Sequence, residues 1–116
     1  MFYPRRNKFG NRKTVIDGIE FSSAKESRRY CELKLMARAG IISELKLQPR
    51  FELLPAFERN GTKHRKIEYV ADFSYTEKGI DIVEDVKSDF TRKNPVYLLK
   101  KKLLLFRYED FVFQET

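Results

Sequence analysis

Residues 67–87 read Ile67-Glu68-Tyr69-Val70-Ala71-Asp72-Phe73-Ser74-Tyr75-Thr76-Glu77-Lys78-Gly79-Ile80-Asp81-Ile82-Val83-Glu84-Asp85-Val86-Lys87. Two β-branched and aromatic runs flank the polar segment 76–79, a pattern that predicts strands over 67–75 and 80–87 joined as a β-hairpin. With a loop at 76–79, Tyr75 pairs with Ile80 and Asp72 lies opposite Val83. Opposed residues share a side of a sheet and alternate residues share a face, so Asp72, Val83, Asp85 and Lys87 are expected on one side and Glu84 on the other. Diagonal neighbours in such a pair are roughly 7 to 8 Å apart at the backbone, a gap that two carboxylates can close around one divalent cation. The inference depends on register, because a slip of one residue turns Asp72 to the other face and puts Glu84 in place of Asp85.

Upstream, Ser23-Ala24-Lys25-Glu26 has the form of a helix-starting capping box. Tyr30, Leu33 and Ala37 then recur at helical spacing until Gly40 supplies a stop. Glu26 shares the inward stripe of Tyr30 and Leu33, within reach of the hairpin carboxylates; it also fits as the capping-box carboxylate, and the two roles are compatible. Residues 45–57 alternate loosely, with Pro49 and Pro55 pushing them toward an edge or interrupted strand that includes Gln48. Asn60-Gly61 lies in a polar turn over 59–66. Downstream, Asn94 before Pro95 predicts an N-cap with proline at the first helical position. Val96, Leu99, Leu103 and Phe106 continue on one face of a second helix ending near Arg107, and 111–114 reads as a last strand. The expected fold is a single α/β (α+β) domain over 15–116: helix, three-strand meander, helix, strand, with a mixed sheet flanked by helices. Residues 1–14 carry no acid and read as a basic, flexible arm.

Composition narrows the chemistry. The 116 residues are 41% hydrophobic and 35% charged, which suits one core under a densely charged surface. No apolar run approaches the roughly 20 residues of a membrane-spanning helix, and the N-terminus lacks the apolar core of a secretory signal, so a cytoplasmic protein is expected. Cys31 and His64 are each the only residue of their kind. That excludes intrachain disulfides and cysteine or two-histidine zinc sites, and leaves carboxylates, which favour Mg²⁺ or Mn²⁺. The formal charge of +7 favours a polyanionic partner. The candidate nucleic-acid contacts are Arg5, Arg6, Lys8, Arg12 and Lys13 on the arm, Lys63 and Arg65 in the turn, and Lys93, Lys100 and Lys101 about the second helix. His64, beside Lys63 and Arg65, suits a surface or phosphate contact better than a general base.

Two carboxylates and a lysine are what phosphodiester hydrolysis needs. The acids hold a cation that neutralises the scissile phosphate and acidifies a water, and Lys87 orients that water or stabilises developing charge. These spacings resemble the PD-(D/E)xK nuclease superfamily, whose pattern of a helical Glu, a strand Asp, then acid-x-Lys reads here as Glu26, Asp72 and Asp85-Val86-Lys87. Ala71 stands where the motif's name has proline, and Asp85 where Glu is commoner; neither removes a ligand. More closely, Phe21-Ser22-Ser23-Ala24-Lys25-Glu26, Leu47-Gln48-Pro49-Arg50-Phe51, Tyr69-Val70-Ala71-Asp72-Phe73 and Val83-Glu84-Asp85-Val86-Lys87 resemble a family of small phage nucleases known as a domain of unknown function.

The resemblance implies a restriction-endonuclease-like core and a DNA endonuclease dependent on Mg²⁺, with Mn²⁺ able to substitute. It also implies metal ligands Glu26, Asp72 and Asp85 with Lys87 as catalytic partner, and a basic residue such as Lys100 or Lys101 along the DNA groove. Among its subtypes are Holliday-junction resolvases and related recombination or packaging nucleases, usually homodimers, acting on branched or duplex DNA in the cytoplasm of a host cell. Against this stand a non-catalytic basic module that binds nucleic acid and a factor whose basic face meets an acidic protein. Asp85 and Lys87 would then be alternate charges on a solvent-facing strand.

Overall fold

The computed structural model describes residues 13–116, so Arg5, Arg6, Lys8 and Arg12 of the expected arm lie outside the described residues. The chain runs β1 (Thr14–Ile16), β2 (Ile19–Phe21), α1 (Ala24–Arg38), β3 (Ile42–Leu47), β4 (Arg50–Leu54), β5 (Phe57–Arg59), β6 (Thr62–His64), β7 (Ile67–Val70), β8 (Phe73–Glu77), β9 (Ile80–Asp85), α2 (Asp89–Arg92), α3 (Pro95–Arg107) and β10 (Val112–Glu115). It is a mixed α+β domain. The principal sheet has the order β10-β9-β8-β3 and is antiparallel except for the parallel β10–β9 pair. No helix among the described residues is long and apolar enough to cross a membrane.

The alternation along β9 divides the interior into two cores. Ile82 packs against Phe21, Tyr30, Leu33, Ile42, Phe73 and Tyr75, the cluster that seats α1 on one face of the sheet. Its neighbour Val83 points the other way, into Leu53, Tyr69, Ala71 and Leu104, which join α3 and the β4–β7 pair to the opposite face. Leu33, Phe73 and Leu104 are fully buried, and each contributes about 2 kcal/mol by leaving water. The Ser23 hydroxyl accepts the Glu26 N–H at 3.1 Å to start α1, and Gly40 takes a φ of 75° just beyond its end.

Residues 42–77 form one long hairpin. Leu47 pairs with Phe73 and Arg50 with Val70, three residues further along each strand, so the register carries through the gap between the β3–β8 and β4–β7 pairs. At that gap Gln48 adopts a φ of 50°, its N–H donates to the Asp72 carbonyl at 2.9 Å, and the Ala71 N–H donates to the Pro49 carbonyl at 3.1 Å. Both expected strands therefore break at the same level. Gln48 is not the ordinary strand residue its neighbours suggested; it sits at the bend beside Asp72.

Three expectations need correction. The β8–β9 loop is the two-residue turn Lys78-Gly79, with φ of 51° and 77°, so Tyr75 pairs with Ile82 and not with Ile80. A shift of two preserves every face, and the step beyond the Phe73–Glu84 pair brings Asp72 opposite Asp85 instead of Val83. The core face of α3 is not Val96, Leu99, Leu103 and Phe106: all four are exposed, Phe106 at 84%, while Leu104 is buried with Tyr97 and Tyr108 beside it. This helix is apolar on two sides, so periodicity could not choose between them. The last strand lies one residue later than expected, at Val112–Glu115.

Candidate active site

Four of the expected residues converge where β8, β9 and the start of α1 meet. A cleft of about 330 Å³ is lined by Glu26, Asp72 and Lys87 together with Ser22, Lys25 and Thr91. Ser22 Oγ donates to Glu26 Oε2 at 2.6 Å, and Lys25 Nζ donates to the Lys87 carbonyl at 3.0 Å, tying the helix start to the end of the site strand. Glu26 is buried while its backbone N–H is held by the Ser23 cap, so it is both a first-turn carboxylate of α1 and a member of the cleft.

Asp85 lies behind the cleft wall and is fully buried. Its Oδ1 accepts the Asp72 N–H at 2.8 Å, its Oδ2 accepts the Tyr69 hydroxyl, and Lys87 Nζ stands 3.6 Å from that same oxygen. Asp72 returns the contact through Oδ2, which accepts the Val86 N–H at 2.7 Å. Burial and the nearby negative charge of Glu26, with a smaller effect from Asp85, push the Asp72 carboxyl up to about 7 despite the Val86 N–H and Lys87. Burial also raises Asp85, against the opposing pull of the Tyr69 hydroxyl and Lys87. Desolvation and the adjacent Asp85 carboxylate push the Tyr69 phenol up, so it stays a hydrogen-bond donor.

Among the described residues no group of three or more His, Cys, Asp or Glu is arranged to hold a metal ion. The donor chemistry nonetheless fits a hard cation. The cleft and its wall offer carboxylates and no thiol or imidazole, and a cation would offset the burial and the Glu26 charge that push Asp72 up.

Glu84 points to the opposite face, as its position beside Asp85 requires. It is fully buried and satisfied: Arg29 donates to both carboxylate oxygens at 2.6 and 2.9 Å, Tyr75 at 2.7 Å and Thr116 at 3.1 Å. This pair fixes β9 to α1 directly beneath Asp85. Arg29 gave no signal in the sequence, because a helical arginine is ordinarily a surface residue. Tyr69 was hidden for another reason: on a continuous strand it would face away from Asp72, and only the break at Ala71-Asp72 lets both meet Asp85.

A second cleft, of about 430 Å³, adjoins the first across Lys87 and Thr91 and is lined further by Tyr69, Asn94, Tyr97 and Lys100. Lys87 Nζ lies 4.8 Å from the centre of the Tyr97 ring. Among the other expected basic contacts, Lys101 turns toward Glu115 at 3.4 Å, Lys13 pairs with Glu20 at 3.2 Å, and Lys93 is exposed at the end of α2. Lys63 and Arg65 are exposed on and beside β6.

The fold and cleft define a small mixed α+β protein with an acid-and-lysine centre at the ends of the two inner strands of its principal sheet. A family model described as Protein of unknown function (DUF1064) matches residues 6–114, and the chain belongs to that family. No curated protein and no solved structure matches it.

Proposed function

We propose that the protein is a divalent-metal-dependent DNA endonuclease of the PD-(D/E)xK kind. The observation that carries this reading is the meeting of Asp72 and Asp85 from adjacent strands with Lys87 and Glu26, under enough burial to raise both aspartates. A basic protein would not gather acids on a surface that meets DNA unless a cation lay among them. Glu26, Asp72 and Asp85 would hold Mg²⁺, or Mn²⁺ in its place, and the ion supplies charge neutralisation at the scissile phosphate and a more acidic water. Lys87 orients the attacking water and stabilises the charge that develops as the new oxygen–phosphorus bond forms and the bond to one sugar oxygen breaks. Tyr69 and the Asp72 N–H hold Asp85 in one orientation.

A structure-selective subtype, a junction resolvase or related phage recombination or packaging nuclease, fits a small basic enzyme working in the cytoplasm of a host cell. Cutting two strands symmetrically requires two sites. The outward apolar stripe of Val96, Leu99, Leu103 and Phe106 is the surface that suits pairing with a second copy. Sedimentation of the wild type and Phe106→Asp tests it: a dimer that becomes a monomer supports the pairing, and an unchanged mass rejects it.

The deciding experiment is cleavage of labelled four-way junction, flap, single-stranded and duplex DNA with and without Mg²⁺, by wild type, Asp85→Ala and Lys87→Ala. Metal-dependent cutting lost in both variants while binding persists supports the enzyme. Tight, salt-sensitive binding with no cutting of any substrate supports the second reading, a non-catalytic nucleic-acid-binding module, which the exposed basic residues favour.

A further inference from the structure

The tip of the long hairpin leaves the protein. Beyond Leu53 and before Glu68, every residue from 54 to 67 is exposed, yet β5 and β6 remain regularly paired. A two-stranded ribbon alone is marginal in water, so its order rests on local devices. Asn60 and Gly61, at φ of 52° and 77°, close a two-residue turn whose twist matches the strands. Phe57 stacks on His64 across the ribbon with ring centres 4.6 Å apart and planes at 15°. Phe57 stays 44% exposed, so the stack splints the ribbon without forming a core.

The charge on this splinted segment is nearly of one sign: residues 57–66 hold Arg59, Lys63, Arg65 and Lys66 against Glu58. Arg59 pairs with Thr62, and Lys63 with Glu58, so Arg59 and Lys63 project from opposite faces of the ribbon. A two-stranded ribbon is the width that the major groove of B-DNA admits, and cations on both faces reach the phosphates of both rims. The cleft, where Lys25 and Lys87 stand beside Glu26 and Asp72, carries no such excess of cations. We propose that the β5–β6 ribbon docks in the major groove of duplex DNA and holds it by its backbone, apart from the cleft. The inference rests on the reading of this protein as one that acts on DNA, and it does not depend on catalysis.

The test is fluorescence anisotropy of the full chain with a labelled duplex and a labelled single strand of equal length, in EDTA, over a salt series. A ribbon triple variant, Arg59→Ser with Lys63→Ser and Arg65→Ser, is compared with a control triple of equal charge change, Arg38→Ser with Lys46→Ser and Lys78→Ser, all at exposed positions. Thermal melting verifies that both fold. The ribbon triple is expected to lose at least about tenfold in duplex affinity and to flatten the salt dependence by roughly two to three in log–log slope. Its loss on the single strand is expected to be smaller, and the control's duplex loss less than about threefold. Equal losses from the two triples, or equal losses on duplex and single strand, overturn the docking. Unchanged binding by the ribbon triple with cleavage retained overturns this inference alone, whereas a wild type that binds no DNA overturns the proposed function with it.

Discussion

Asp72 and Asp85 hold each other across the sheet. The Asp72 N–H donates to Asp85 Oδ1 at 2.8 Å, and the Asp72 carboxylate accepts the N–H of Val86, the residue after Asp85, at 2.7 Å. Each acid thus orients the other's strand.

That arrangement makes stability fall with rising pH in metal-free protein. The Asp72 carboxyl is raised from 3.8 to about 7, so its protonated form is the one the fold favours. The stabilisation is complete below about 3.8 and is lost as pH rises through about 7. Thermal unfolding in EDTA at pH 5 and pH 8 is expected to differ by on the order of 1–3 kcal/mol for wild type and by clearly less for Asp72→Asn. Asp17 and Glu115, both lowered by partners that include Lys34 and Tyr97, act oppositely, their stabilisation being lost on acidification below about 4. Equal pH dependence in wild type and Asp72→Asn would refute the assignment.

Adding Mg²⁺ is expected to raise the melting temperature at pH 8 more than at pH 5, because the cation competes with protons for the same carboxylates. Asp85→Asn should abolish most of that gain. A gain of equal size at both pH values, retained in the variant, would place the ion elsewhere.

Lys87 stands 3.6 Å from Asp85 and lines the cleft. Replacing it with alanine should lower kcat by about 100- to 1,000-fold with DNA affinity in EDTA changed less than threefold. Loss of affinity with kcat intact would make Lys87 a binding residue and not a catalytic one.

Arg29→Ala leaves Glu84 buried without its cation and should cost about 3–5 kcal/mol in urea unfolding. A cost below about 1 kcal/mol would mean that Tyr75 and Thr116 alone satisfy the carboxylate.

Leu104→Ala should cost about 2–5 kcal/mol, and Leu99→Ala less than about 1 kcal/mol in the monomer. The reverse order would restore the helix face that the spacing first suggested.

The face shared by Asp72, Asp85 and Lys87 was legible because side-chain direction along a strand depends only on parity, and the error in loop length was even. Glu26 was legible from its capping pattern. The hairpin of the first two expected strands was legible from the turn at Asn60-Gly61, but its bend was not: 67–75 read as one continuous strand, and only the hydrogen bonds of Gln48-Pro49 with Ala71-Asp72 reveal the break. The α3 face was hidden by apolar residues on both sides. Tyr69 reaches Asp85 through a strand break, Arg29 supports β9 from the opposite face through a buried ion pair, and neither leaves a periodic trace.

The parallel pairing of β10 with β9 has a consequence in time. Thr116 donates its N–H to the Asp85 carbonyl and accepts the Lys87 N–H, both at 2.9 Å, clasping the two residues on either side of Val86. During synthesis the acids and the lysine emerge well before residues 112–116. Until that segment arrives β9 lacks its outer neighbour, so a nascent chain carries the ingredients of the centre without their final alignment. Alignment of the strand end that carries Asp85 and Lys87 is thereby coupled to the pairing of β10.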